Sequence, residues 1–168
     1  MLQELLNNAT KVLDGLQGGE TIRNVVTRHG DDIMEMQLQQ LFSGKASSGE
    51  DIRPFYSEDL QPGGYFKSAD SAKRYSGWKQ TLNYPMQANR NPDAPNLYVN
   101  GKFHSELGVN FGSDAVSVGG KTSYADNIVA KYGIGTFGLT DDNWDNVFWE
   151  RGGYDELLQE VKKQLFAS

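Results

Sequence analysis

The 168-residue chain contains no cysteine, which excludes disulfides, thiolate-bound zinc, iron–sulfur clusters and thiol catalysis together. A chain without cysteine fits a reducing compartment. Histidine is nearly as scarce, with only His29 and His104. Neither stands in an H-x-H or H-E-x-x-H spacing, so no metal site is read from them. Long apolar runs are also missing, and no window approaches the roughly 18 apolar residues of a membrane span. The N-terminal MLQELLNNATKVLDGL lacks the basic segment and unbroken apolar stretch of a secretion signal. The expectation is a protein made and used in a cytoplasm, away from membranes. Excess positive charge is absent too: 16 Lys and Arg against 22 Asp and Glu leave a net charge of −6. The cations are scattered, which argues against a nucleic-acid binder that must neutralise phosphates.

Catalytic signatures are equally hard to find. There is no G-x-S-x-G elbow to present a serine nucleophile. Gly44-Lys45 runs into Ala46 without the earlier glycine of a phosphate-binding loop. Gly133, Gly135 and Gly138 spell G-x-G-x-x-G, but they follow a predicted helix. A dinucleotide site needs them to open one, with the phosphate at its N-terminus. The acidic pairs Glu50-Asp51, Glu58-Asp59 and Asp141-Asp142 do not follow a calcium-loop pattern and read as solvated loop acids and a helix start. The sequence therefore predicts no catalytic residue, cofactor or metal ligand, and a protein that is not an enzyme.

What is present is enough apolar and aromatic material, including eight Phe and eight Tyr, for one hydrophobic core. Residues 1–168 are read as one domain. Leu2, Leu5, Leu6, Ala9, Val12, Leu13 and Leu16 repeat at helical spacing and predict a helix over 2–16 stopped by Gly18-Gly19. Residues 1–19 could pack on the core or, set off by that glycine pair, dock on a neighbouring subunit. A second helix is predicted over Thr21–Phe42, with Ile22, Val25, Val26, Ile33, Met36 and Leu41 as its stripe and a break at His29-Gly30. Ser68 predicts an N-cap for a helix to Gln80, with Ala69, Ala72, Tyr75 and Trp78 or Lys79 inward. The Pro-rich stretch after Leu82 forbids regular structure. Thr140 predicts a cap for Asp141–Arg151, with Trp144, Val147 and Phe148 buried. A last helix, Tyr154–Phe166, turns Leu157, Leu158, Val161, Leu165 and Phe166 inward.

The segment 43–66, SGKASSGEDIRPFYSEDLQPGGYF, is a long loop unusually rich in large apolar side chains. Disordered linkers do not carry such a load, and long loops in compact domains tend to be functional. Its Ile52, Arg53, Phe55, Tyr56, Glu58, Asp59, Tyr65 and Phe66 form the candidate subunit interface: apolar groups to bury, charges to set register. The loop is expected to be loosely packed in the isolated subunit, and the domain to survive deletion of Glu50–Gly63.

Between the helical regions lies a hairpin. Leu107, Val109 and Phe111 alternate with Gly108 and Asn110, Gly112-Ser113-Asp114 turns, and Ala115, Val116 and Val118 return. Strands are expected over Glu106–Phe111 and Ala115–Gly119. Tyr124-Ala125 then opens a helix carrying Ile128, Val129 and Tyr132, closed by Gly133. The predicted fold class is α+β, with N- and C-terminal helices packed on a small antiparallel sheet.

The order N-G-x-F, hairpin, V-x-V-G, Y-A-x-x-I, K-Y-G and Phe137 resembles the tail-completion and head–tail connector proteins of tailed phages. In that family a small-residue turn leads to a hairpin, and a Tyr-Ala pair begins a short helix ending in an aromatic-Gly corner. The resemblance implies a structural virion protein, made in the host cytoplasm, that forms a homo-oligomeric ring at the phage neck and contacts other neck and tail proteins. The long insert 43–96 and the last helix depart from the family pattern and leave its station in the neck open. Two other classes fit a chain of this kind: a small hydrolytic enzyme, which would show a deep polar pocket, and a phage-encoded host-interaction module, which would act without forming a ring.

Overall fold

The computed structural model describes residues 2–85, 89–112, 116–120 and 123–166. Among these residues the chain forms eight α-helices and one two-stranded antiparallel sheet, an α+β arrangement. Helix α1 spans Leu2–Gln17, α2 Glu20–Arg28 and α3 Gly30–Phe42. Gly19 joins α1 to α2 at φ 73°, a left-handed conformation that side chains with a Cβ resist. The predicted second helix is two helices, broken at His29 as expected, because the His29 N–H still reaches the Val25 and Val26 carbonyls while its own ψ of 17° turns the chain.

Helix α4, Ala69–Gln80, starts at a complete capping box in which Ser68 and Ser71 satisfy each other's backbone N–H. A single turn, α5 (Lys102–Ser105), precedes strands β1 (Leu107–Phe111) and β2 (Val116–Gly120). Val109 pairs with Val118 in the ladder, and both valines meet the core from the face that the alternation predicts. The turn at residues 113–115 and the place of Ala115 lie outside the described residues, as do the side chains of Leu2 and Leu5. Helix α6, Ser123–Tyr132, ends at Gly133, and a 3-10 turn, Ile134–Thr136, follows. Thr140 caps α7, Asp141–Asp145, by accepting the Asn143 N–H. The helix then widens into a π-helical turn over Asn146–Glu150 before α8, Gly153–Leu165.

The main core gathers Val26, Ile33, Met36, Val118, Leu139 and Val147. Helix α3 lies on β1 and α6 on β2, while α1, α2 and α8 pack on one another. Several side chains expected inside are outside. Leu6, Leu13, Ile22, Leu158 and Phe166 are exposed, and so is Ala69. On α4 the inward place beside Ala72 and Ser76 belongs to Lys79, 1% exposed, rather than to Trp78.

The 43–66 loop is packed, contrary to the expectation of a loose segment. Ile52 is 2% exposed, and Tyr56 and Phe66 form a second apolar cluster with Ala72, Leu60 and Tyr75. Its backbone is tied on all sides: Ile52 N–H donates to Gly44 O, Tyr56 N–H to Asp93 O and Phe66 N–H to Asp59 O. Burial of this apolar surface by the chain itself is what holds the loop.

Candidate functional site: an aromatic groove

The turn 59–66, α4, the segment 95–99 and α6 enclose a groove of about 440 Å³. Tyr56, Phe66 and Tyr75 make its floor, in edge-on pairs with ring centroids 6.0 Å apart for Tyr56–Phe66 and 5.1 Å for Tyr56–Tyr75, a geometry that aligns ring edges with ring faces. Tyr65, 70% exposed, Val99 and Tyr124 stand on the rim. The local sequence builds this wall in a defined way. Gly64 lets the backbone fold so tightly that a Cβ there would sit 2.3 Å from the Asp59 carbonyl carbon. The tight turn brings Phe66 back beside Leu60, and the Ser68 cap then launches α4 with Tyr75 facing Phe66.

Two cations and one carboxylate serve the groove. Asp59, buried, is ion-paired with Lys131 of α6 and accepts the Tyr65 N–H at 3.1 Å. The Lys131 ammonium also lies 5.6 Å from the Tyr65 ring centre and 5.4 Å from that of Tyr132, within cation–π range. Burial, and after it the Asp59 charge, pushes the Tyr132 hydroxyl up to about 12. Burial likewise raises Tyr56 and Tyr75. Lys79, on the groove's inner side, donates to the Tyr98 carbonyl; burial, and then the Arg90 charge, lowers its pKa to about 7. Behind it His104 stacks on Phe42 with centroids 4.7 Å apart, and burial, followed by the Lys79 charge, holds its pKa at about 4.

Lys79 has the pKa of a nucleophilic amine, but its Nζ is occupied by the Tyr98 carbonyl and closed off from the groove mouth. Among the described residues no three His, Asp or Glu side chains converge as a metal site, and no helix is long and apolar enough to cross a membrane. Of the G-x-G-x-x-G string, Gly133 follows the end of α6, Gly135 lies within the 3-10 turn and Gly138 follows it, and the Gly138 backbone is taken up by glutamine side chains.

The eight residues singled out in the loop separate into three places. Ile52, Tyr56, Asp59 and Phe66 are buried within the chain, the last three of them lining the groove from inside. Arg53, Phe55 and Glu58 make a small outer cluster, with the guanidinium 4.0 Å over the Phe55 ring and paired with Glu58. The Glu58 carboxyl is held below its usual range by the Phe55 N–H and by Arg53. Tyr65 alone reaches the groove rim. Sequence reading missed Lys131, Tyr124 and Val99 as groove residues, because nothing in their spacing links them to the earlier turn 59–66, though Tyr124 reads as a helix start.

A second aromatic surface lies elsewhere. Trp149, 63% exposed, packs against Tyr154 in a tilted pair with ring centres 4.4 Å apart, and Leu158 follows one turn along α8. Arg151 fixes this end by bonding Asp32 and Glu35 of α3, both at 2.7 Å, and it lowers both carboxyl pKa values. Compared with known protein families, with curated proteins and with solved structures, the chain matches none.

Proposed function

We propose that the chain is a structural virion protein of a tailed phage, a ring-forming neck or tail-completion subunit that joins head to tail and performs no catalysis. The observation that carries this reading is the hairpin–helix unit. Strands β1 and β2 and helix α6 follow one another in the order of the motifs that resemble the connector proteins, and α6 closes at Tyr132-Gly133. Exposed aromatic surface lends support, since Tyr65, Trp78, Tyr124 and Trp149 all face outward, and clustered exposed apolar groups mark surfaces meant for a partner. Such a subunit would be made in the host cytoplasm, end in the particle, and meet copies of itself together with other neck and tail proteins.

The test is made on particles. Mass spectrometry of purified virions should find the chain in fixed ratio to other neck components. Inactivating its gene should leave filled heads and free tails that join when the protein is added back. Intact infectious particles assembled without it would overturn the proposal.

A further inference from the structure

We infer that two copies of the chain pair through the open face of α8, antiparallel and about a two-fold axis beside Leu158. The inference goes beyond the virion reading, because a contact of this kind closes at two copies and does not build a ring.

Helices α1 and α2 pack on α8, and Leu157, Val161 and Leu165 are partly covered. The remaining face is open. Tyr154 is 40% exposed, Leu158 38% and Phe166, just past the last turn, 67%. Asp155, Lys162 and Lys163 are exposed among them. The step from Asp155 to Lys162 completes about two helical turns, so acid and base share one line on that face, with Leu158 between them. The result is a strip about 20 Å long, acidic at its start, apolar at its centre and basic at its end.

The charges of this strip are not spent within the chain. Among the described residues no ion pair engages Asp155, Lys162 or Lys163. Their neighbours Glu156 and Arg151 are held elsewhere, the first by Arg28 and the second by Asp32 and Glu35.

Such a strip complements itself when reversed. With the two-fold axis level with the gap between Leu158 and Gln159, Asp155 of each copy comes level with Lys162 of the other. Tyr154 comes level with Lys163, an ammonium placed to approach a phenol ring. The two Leu158 side chains meet at the axis, and each Phe166 reaches toward the Trp149–Tyr154 end of the other copy. A parallel pairing would set acid beside acid and base beside base, which repulsion disfavours. The order acid, apolar, base is met by its own reversal, and this names a second copy as the occupant. One helix on one helix is a small contact, so association should be weak, with a Kd on the order of 1–100 μM.

The test uses the purified full chain in sedimentation velocity at concentrations up to about 1 mM. Wild type should show a monomer–dimer equilibrium that weakens as salt rises to about 0.5 M. Asp155→Lys and, separately, the double variant Lys162→Glu/Lys163→Glu turn attraction into repulsion at both symmetric contacts. Each should weaken its own dimer by about tenfold to a hundredfold. Mixing these two variants 1:1 should restore a dimer, since the introduced lysine then faces the introduced glutamates and the native acid faces the native lysines. Leu158→Gln should weaken pairing by about tenfold, and Asp155→Asn supplies a milder change at the charged position. Circular dichroism checks that every variant is folded. A wild type that stays monomeric, charge variants that dimerise as wild type does, or a mixture that recovers no dimer overturns the inference. Virion composition and particle assembly are separate readouts, so the neck reading stands or falls on its own.

Discussion

Gln40 donates its Nε2–H to the Gly138 carbonyl at 2.8 Å, bridging 98 residues of chain, while Gln37 one turn earlier accepts the Gly138 N–H at 2.7 Å. Gln40 also accepts the Thr140 N–H at 3.0 Å and the Asn143 side-chain amide at 2.9 Å. Both glutamines are buried, so two α3 side chains supply the hydrogen bonds that strand pairing would otherwise give to segment 137–140. Gln40→Ala leaves those partners unpaired and should destabilise the fold by about 1–3 kcal/mol, read from chemical denaturation.

Gly64→Ala tests the tight turn under the groove. The new Cβ would meet the Asp59 carbonyl carbon at 2.3 Å and the Leu60 carbonyl oxygen at 2.4 Å, so backbone must move. A loss of about 2 kcal/mol or more is expected, with a lower melting temperature. Gly63→Ala faces no neighbour within 4 Å and only the strain of φ +97°, which is about 1–2 kcal/mol. Equal melting of the two variants would contradict this account.

Deleting Glu50–Gly63 removes Ile52 and Tyr56 from the interior. The shortened chain should therefore melt well below the full chain or fail to fold, measured by circular dichroism, rather than remain a stable domain.

Stability should depend on pH through His104 and Lys79. The folded pKa of His104 is lowered from 6.5 to about 4, so between these values the unfolded chain binds the proton and the folded chain does not. Stability therefore falls as pH drops from 6.5 toward 4, by up to about 3 kcal/mol. Lys79 is lowered from 10.5 to about 7, so by the same sign stability rises as pH climbs from 7 toward 10. The raised Tyr132, at about 12, reverses the slope above pH 10. Denaturation at a series of pH values should show His104→Gln flattening the acid limb and Lys79→Met flattening the rise above 7.

Arg151→Ala breaks the bonds to Asp32 and Glu35. These groups are partly open to solvent, so the cost should be about 1 kcal/mol and should shrink in high salt. Both carboxyl pKa values are lowered by Arg151, so their share of stability is present above pH 4 and lost below it. The variant should lack that part of the acid loss in a urea titration.

The chain's own periodicity was enough to locate most elements. Helices α1, α4, α6 and α8, the break at His29, the Ser68 and Thr140 caps and the β1–β2 hairpin follow from local rules, because caps, glycines and alternation act within a few residues. The π-turn at Asn146–Glu150 carries no local signal that separates it from α-helix. Which flank of an apolar stripe is covered was decided only in three dimensions: Trp78 and Lys79 are adjacent on α4, and a distant Tyr98 carbonyl lets the lysine go inward. The same holds for the groove. Its Tyr65 and Asp59 were visible in the loop as apolar and charged groups, yet their joining to Lys131 of α6, 72 residues away, depends on packing that no spacing encodes. Local order is written in neighbours, whereas the burial of the 43–66 loop is a competition among distant surfaces for the same apolar contacts.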